Sequence, residues 1–365
     1  MKKSLAILGC LPLYLCGCFA ANPKYLKDIY KDYFTIGAAY NDYSFETTLS
    51  NHFNSLTAEN EMKWVSLHPS LDTYTFEKAD EYVKYAKEHN MGVRGHTLVW
   101  HNEKAISRDI LKITDKAQLL DEEMKHIDTV IRHFKDDVYC WDVVNEVIDD
   151  GDDPIDENKS NVYRKSHWYN VTGKDFIFEA YKKADAILKE LGIRDKVKLF
   201  YNDYDNTKAI KKAKTLIMLQ DLIDNNIPID GIGLQCHYHL GSFDPVALEQ
   251  TILDYSSLGL DIQITEFDCE IYDRSLAEII PFNTYSEVTQ EALDLHAAIY
   301  DRAFEIFRKY KDKISNVTFW GISDNNTYMN DNEDYGYRRN FPYVFDVNEE
   351  YKPAYYMITK FAEVK

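Results

Sequence analysis

Two glutamates stand at the ends of strongly apolar runs, Glu146 closing Val138 to Val147 and Glu266 closing Leu260 to Phe267. A buried carboxylate without a partner is costly, so positions like these call for water, a counter-charge or a ligand. Paired carboxylates can cleave a glycosidic bond: one, protonated, gives its proton to the departing oxygen, and the other attacks or stabilises the anomeric carbon. Retention of configuration needs the two about 5 to 5.5 Å apart. A structural ion-pair network is the competing reading of the same two residues.

Other polar residues end similar runs. Glu59-Asn60 stands at the end of Ser55 to Glu59, His96 to His101 at the end of Gly92 to Trp100, and Asn145 precedes Glu146. Asn202-Asp203-Tyr204 closes Val197 to Tyr204, Gln235 and His237 close Gly231 to Tyr238, Asp268 follows Glu266, and Trp320 and Asp324 lie at the end of Val317 to Ile322.

The elements that must hold these residues are legible in the periodicity. With Phe34 to Tyr40, the runs make eight candidate strands, and between most of them lie helix-like stretches. These are Phe76 to His89, Lys116 to Phe134, Lys174 to Leu191, Lys208 to Asn225, Pro245 to Leu258 and Glu287 to Lys311. Near-continuously apolar strands alternating with amphipathic helices imply a buried parallel sheet. Eight βα units close most economically as a single (β/α)8 TIM barrel of the α/β class, with a doubly wound open sheet as the alternative. In a barrel the C-terminal strand ends form the functional face, which is where the polar residues fall. The fourth and seventh strands lie across the mouth from each other, so Glu146 and Glu266 can share it.

A formal charge of −19 with no basic stripe argues against nucleic-acid partners. The aromatic content, with 28 Tyr, 18 Phe and 5 Trp, suits flat, weakly charged ligands. Met1-Lys2-Lys3 followed by Ala6 to Leu15 has the form of a secretory signal, too short to span a bilayer. Residues 1-20 are therefore expected to be a signal peptide. Leu15-Cys16-Gly17-Cys18 resembles a lipoprotein box that would end the leader before Cys18, and cleavage after Ala20 or Ala21 is the alternative. The expected location is secreted or extracytoplasmic, with membrane attachment only through a lipid on Cys18. Cys140, Cys236 and Cys269 remain in the body, an odd number without zinc-site spacing. They read as buried free thiols, although Cys236 and Cys269 fall on neighbouring strands where one bridge would fit.

Six blocks carry a resemblance across nearly the whole mature chain, residues 24-365. They are Thr57-Ala58-Glu59-Asn60-Glu61-Met62-Lys63-Trp64, Arg94 to His101, Trp141 to Val147, Gly231 to His237, Ile264 to Asp268 and Trp320 to Asp324. In this order and spacing the sequence resembles glycoside hydrolase family 10, the endo-1,4-β-xylanases. The resemblance implies a retaining catalytic barrel that cuts internal β-1,4 bonds of xylan, with Glu146 as acid/base and Glu266 as nucleophile. It also implies that Asn145 hydrogen-bonds the sugar 2-hydroxyl, that His237 contacts the nucleophile and that Asp268 orients His237. Glu59, Asn60, Lys63, His96 and Trp100 match glycone-side positions, Trp320 a wall of the sugar site and Tyr204 an aglycone contact; Asn202, Gln235 and Tyr328 complete the expected substrate-binding set. Glu266's negative charge is expected to help raise the Glu146 pKa.

Two positions depart from the family pattern. Glu103 stands where glutamine is usual, adding charge toward the distal glycone side, and Tyr328-Met329 stands where tryptophan-arginine is usual, thinning one wall of the proximal subsite. A related β-1,4-glycanase acting on glucans or mixed linkages, and an inert surface carbohydrate-binding protein, are the other functions weighed. No cofactor and no metal are expected: His96 and His101, five apart on one strand, would point to opposite faces. The run Asp149-Asp150-Gly151-Asp152-Asp153, lacking calcium-loop spacing, reads as a solvated loop. A monomer is expected.

Overall fold

A computed structural model describes residues 25–330 and 332–362, so the expected signal peptide and Cys18 lie outside the described residues. Among the described residues ten strands form: β1 (Thr35–Tyr40), β2 (Ser55–Ala58), β3 (Gly92–Gly95), β4 (Val99–Trp100), β5 (Val138–Asn145), β6 (Lys198–Asp203), β7 (Gly231–Leu234), β8 (His237–His239), β9 (Asp261–Glu270) and β10 (Ile314–Phe319). Eight of them pair in parallel in the order β1-β2-β3-β5-β6-β7-β9-β10, and β10 pairs with both β9 and β1. The barrel is closed. Its staves are apolar on both faces because helices cover the outside while side chains fill the inside; all of β2 and β7 and nearly all of β5 and β9 is buried.

Two of the expected strands are each broken in two. Within Gly92 to Trp100 the ladder stops at Gly95, where a Cβ would stand 2.2 Å from the Trp141 ring, and resumes as β4 beside β5, pairing Val99 with Val144. The backbone of His96 to Leu98 leaves the sheet, and His96 turns to Asp142, with Nδ1 2.8 Å from Oδ2. His96 and His101 therefore do not sit on one strand, and the opposite-face argument does not apply to them. Gly231 to Tyr238 breaks at Gln235 and Cys236, the latter with φ 58°, before β8 pairs His237 with Asp268 of β9. Both breaks fall at the mouth, where side chains must be turned off the sheet repeat.

The main helices are α1 (Glu77–Glu88), α2 (Lys116–His133), α3 (Asp175–Glu190), α4 (Ala209–Asp224), α5 (Pro245–Ser256) and α6 (Gln290–Lys309). Caps set several starts: Asp115 accepts from the Gln118 amide at 2.9 Å, and Asp244 accepts from Val246 and Ala247 ahead of Pro245 at the first turn. The last helix starts at Gln290, three residues later than its apolar pattern, because Thr289 accepts from the Ala292 amide and caps it.

Inside the barrel Arg94 forms a two-pronged pair with Asp142, and its Nε donates to Gln263 at 2.9 Å. Arg94 and Asp142 are fully buried. Cys140, Cys236 and Cys269 are buried free thiols, so Cys236 and Cys269 form no bridge. Among the described residues no helix is long and apolar enough to cross a membrane.

Candidate active site

Glu146 follows the last residue of β5 with φ 56°, a left-handed conformation uncommon for a side chain of its size. Neighbours hold it there: its amide donates to the Asn202 carbonyl at 2.9 Å and its carbonyl accepts from Arg164 Nε at 3.1 Å. Strain of this sort persists only where surrounding contacts over-determine it. The side chain is fixed at both oxygens, Oε1 accepting from Gln235 Nε2 and Oε2 from Trp100 Nε1, each at 2.8 Å.

Glu266, within β9, is 5% exposed. Oε1 accepts from Asn202 Nδ2 at 2.7 Å, and Oε2 lies 3.3 Å from His237 Nε2. Behind it, His237 Nδ1 is 2.9 Å from Asp268 Oδ2. Thr265 donates to Asn202 Oδ1 at 2.6 Å, which turns the Asn202 amide nitrogen toward Glu266 and toward Asn145 Oδ1, 2.9 Å away. Asn145 is fully buried and its own Nδ2 has no protein partner, so a donor stands free beside Glu146.

The electrostatics divide the two acids. Burial pushes the Glu146 carboxyl up, the Asp203 charge adds to this and Glu266 adds less, while the bonds from Gln235 and Trp100 act the other way. Glu266 thus helps raise Glu146, as expected, but desolvation and Asp203 lead. Burial also pushes Glu266 up, but the His237 hydrogen bond, the facing His96 and the Asn202 bond outweigh it, and its carboxyl lies below the usual glutamate range. Burial opposes a charged His237, yet the adjoining Asp268 and Glu266 carboxylates hold its pKa well above the ordinary histidine value. One acid is thereby biased toward its protonated form and the other toward its ionised form, which is the direction of division that acid-assisted displacement requires.

A cavity of about 640 Å³ opens at this end of the barrel, lined by Trp100, Glu146, Tyr204, Gln235, His237 and Tyr328 among others. Glu59, Asn60 and Lys63 lie outside it. They form a chain of their own in which Lys63 donates to Asn60 Oδ1 at 2.9 Å, Asn60 donates to Glu59 at 3.4 Å and Glu59 accepts from Asn41 at 2.5 Å. Lys63 Nζ, 5.1 Å from the Trp100 ring centroid, links this chain to the cavity wall. His96 is 2% exposed, and its ring packs edge-on to Trp320, centroids 5.4 Å apart. Gln235 and Trp100, expected as substrate contacts, line the cavity and each also donates to Glu146. Glu103 is exposed in the loop after β4.

Asp203 and Asp324, which looked functional at the strand ends, are satisfied internally, Asp203 by Lys211 at 2.8 Å and Asp324 by Lys352 at 2.7 Å. The acidic run is a solvated loop, and its first two residues, still partly exposed, are also ion-paired. Asp149 pairs with buried Lys214 at 2.8 Å, and Asp150 pairs with Lys211 at 2.6 Å and Arg164 at 2.7 Å. Buried lysines reaching the loop need those carboxylates. Asp150 also accepts from the Tyr204 hydroxyl, and Lys211 sits 3.5 Å from the Tyr204 ring centroid, so the loop fixes Tyr204.

Three participants carry no separate signal in the sequence. Thr265 sits inside the matched block but shows its role only once Asn202 is opposite. His101, 3.8 Å from Glu146 Oε2, is pushed down to about 3 by burial and the nearby Arg164 charge, and so stays neutral beside the acid. Tyr335 reaches the site from a loop far along the chain, its hydroxyl 2.9 Å from that of Tyr328.

A closed (β/α)8 barrel with two carboxylates of opposed ionisation across its mouth defines a glycoside hydrolase of the paired-carboxylate class. Residues 25–361 match the model of glycosyl hydrolase family 10, and the chain belongs to that family. It is 40% identical over 340 residues to a beta-1,4-xylanase of Dictyoglomus thermophilum, covering 92% of this chain and 90% of the relative. It is 39% identical over 344 residues to endo-1,4-beta-xylanase A of Caldicellulosiruptor saccharolyticus, covering 92% and 95%. The crystal structure of an endo-1,4-beta-xylanase from Caldicellulosiruptor owensensis superposes with a TM-score of 0.82 at 38% identity, covering 93% of this chain and all of that one.

Proposed function

We propose that the protein is an endo-1,4-β-xylanase that hydrolyses internal bonds of xylan with retention, Glu146 acting as acid/base and Glu266 as nucleophile. The observation that carries the assignment of roles is the opposed environment of the two glutamates: burial and Asp203 push the Glu146 carboxyl up, favouring its protonated form, and His237 with Asn202 pulls Glu266 down, favouring its ionised form. In the first step Glu266 attacks the anomeric carbon while Glu146 protonates the leaving oxygen. The covalent intermediate then removes the charge on Glu266, the Glu146 pKa falls, and Glu146 takes a proton from the incoming water. Asn145 Nδ2 serves the 2-hydroxyl, where hydrogen bonding strengthens in the transition state. Membership of family 10 and the xylanase names of the relatives support xylan over glucans.

The test is hydrolysis of xylan followed by NMR of the fresh product anomers. Initial β-xylosides are expected, initial α-xylosides would overturn the mechanism, and faster turnover of carboxymethyl cellulose than of xylan would overturn the substrate.

The chain also reads as exported, either released or held by a lipid on Cys18. Cys18→Ser distinguishes the two: transfer of activity from the membrane fraction to the medium marks the lipid anchor, and an unchanged distribution marks simple secretion.

A further inference from the structure

Tyr328 stands where the family pattern has a wall tryptophan, but its hydroxyl does more than thin a wall. It lies 3.2 Å from Asp268 Oδ2, 3.2 Å from His237 Nδ1 and 2.9 Å from the Tyr335 hydroxyl. Proton bookkeeping fixes the directions. Ionised Asp268 can only accept, so the Tyr328 O–H and His237 Nδ1–H both point at its Oδ2, and Tyr335 donates to the Tyr328 oxygen. His237 then presents Nε2–H to Glu266 Oε2. Tyr335 is held in turn by Arg274, whose guanidinium lies 4.2 Å from its ring centroid and whose Nε pairs with Glu270 on β9.

We propose that Tyr328 is a positioning residue for the nucleophile: its hydroxyl locks the Asp268–His237 pair that holds Glu266, and Tyr335 ties that lock to the loop wall of the cleft. The inference rests on Glu266 being the nucleophile. Without the hydroxyl, Asp268 and His237 keep one contact with each other but lose the group that fixes their common plane, and the 3.3 Å reach from His237 to Glu266 loosens. Other charged and titratable groups also face this set. Glu146 from the end of β5, His96 after β3 and Lys63 act on Glu266. Tyr343, Tyr300, Cys236 and Cys269 neighbour Asp268. None of these supplies a hydrogen bond to Asp268 that could replace that of Tyr328.

Tyr328→Phe keeps the ring and deletes the hydroxyl. The expected result on xylo-oligosaccharides is a fall in kcat of about tenfold with KM little changed. The acid limb of the pH profile should move to higher pH, because Glu266 loses part of what holds it ionised. Tyr328→Trp, which restores a full wall, should not recover kcat. Tyr335→Phe should act in the same direction but less, and the double variant should be no worse than Tyr328→Phe alone. Unchanged kcat and acid limb in Tyr328→Phe, a change confined to KM, or recovery by Tyr328→Trp would each overturn the proposal. NMR of the histidine ring protons separates this inference from the proposed function, since it needs no turnover. The His237 Nδ1 proton should shift in Tyr328→Phe whether or not xylan is the substrate, and an unmoved resonance overturns the lock even in an inactive protein. Matching thermal unfolding curves establish that each variant is folded.

Discussion

Asn202 donates its side-chain amide to Glu266 at 2.7 Å and accepts the Glu146 amide proton on its carbonyl at 2.9 Å, so one residue of β6 ties the two carboxylates to a common frame. Asn202→Ala should therefore lower kcat by roughly tenfold to a hundredfold while KM changes little, since the lost bond supports the ionised nucleophile rather than the ground-state sugar. Steady-state kinetics on xylo-oligosaccharides check it, and a loss expressed only in KM would contradict the framing role.

The two glutamates should be distinguishable by chemical rescue. Each alanine variant should lose at least about a hundredfold in kcat on xylan. With azide present, Glu266→Ala should yield the α-xylosyl azide by direct displacement, and Glu146→Ala the β-azide through the intact covalent intermediate. Product NMR reads the anomers, and exchanged outcomes would reverse the assignment.

Activity should follow a bell-shaped pH profile. Glu266 must be ionised and its pKa is lowered, so the acid limb should lie below the ordinary glutamate range; Glu146 must be protonated and its pKa is raised, so the alkaline limb should lie above it. Asp203→Asn removes a negative charge that favours the protonated form of Glu146, so the alkaline limb should move to lower pH while the acid limb stays. The profile of kcat/KM tests both statements, and an alkaline limb indifferent to Asp203 would leave burial and Glu266 as the causes.

Stability should depend heavily on the Arg94–Asp142 pair in the barrel interior. Asp142→Ala strands a buried guanidinium and frees His96, and it should cost about 3–5 kcal/mol. Urea unfolding measures this, and a loss under 1 kcal/mol would mean that water or Gln263 can carry the charge.

The sequence determined the barrel and the identity of its acids because these depend on local periodicity and on residue types at strand ends. Eight apolar runs alternating with amphipathic stretches leave little room for another closed architecture, and Glu146 and Glu266 end two of those runs. It did not determine the breaks after Gly95 and at Cys236, since period-2 patterning is blind to a backbone that leaves the sheet to turn one side chain. Nor did it determine partners. Only the fold brings Lys214 and Lys211 of α4 up to Asp149 and Asp150, and only the fold places Asp203 of β6 where it outweighs Glu266 in raising Glu146. Tyr328 shows the division most plainly: the sequence shows a smaller aromatic at a wall, and only the packing of its loop against β8 and β9 brings its hydroxyl onto Asp268 and His237. Hydrogen bonds and Coulomb interactions act over a few ångströms, and contacts at that range between residues far apart in the chain exist only once the barrel has closed.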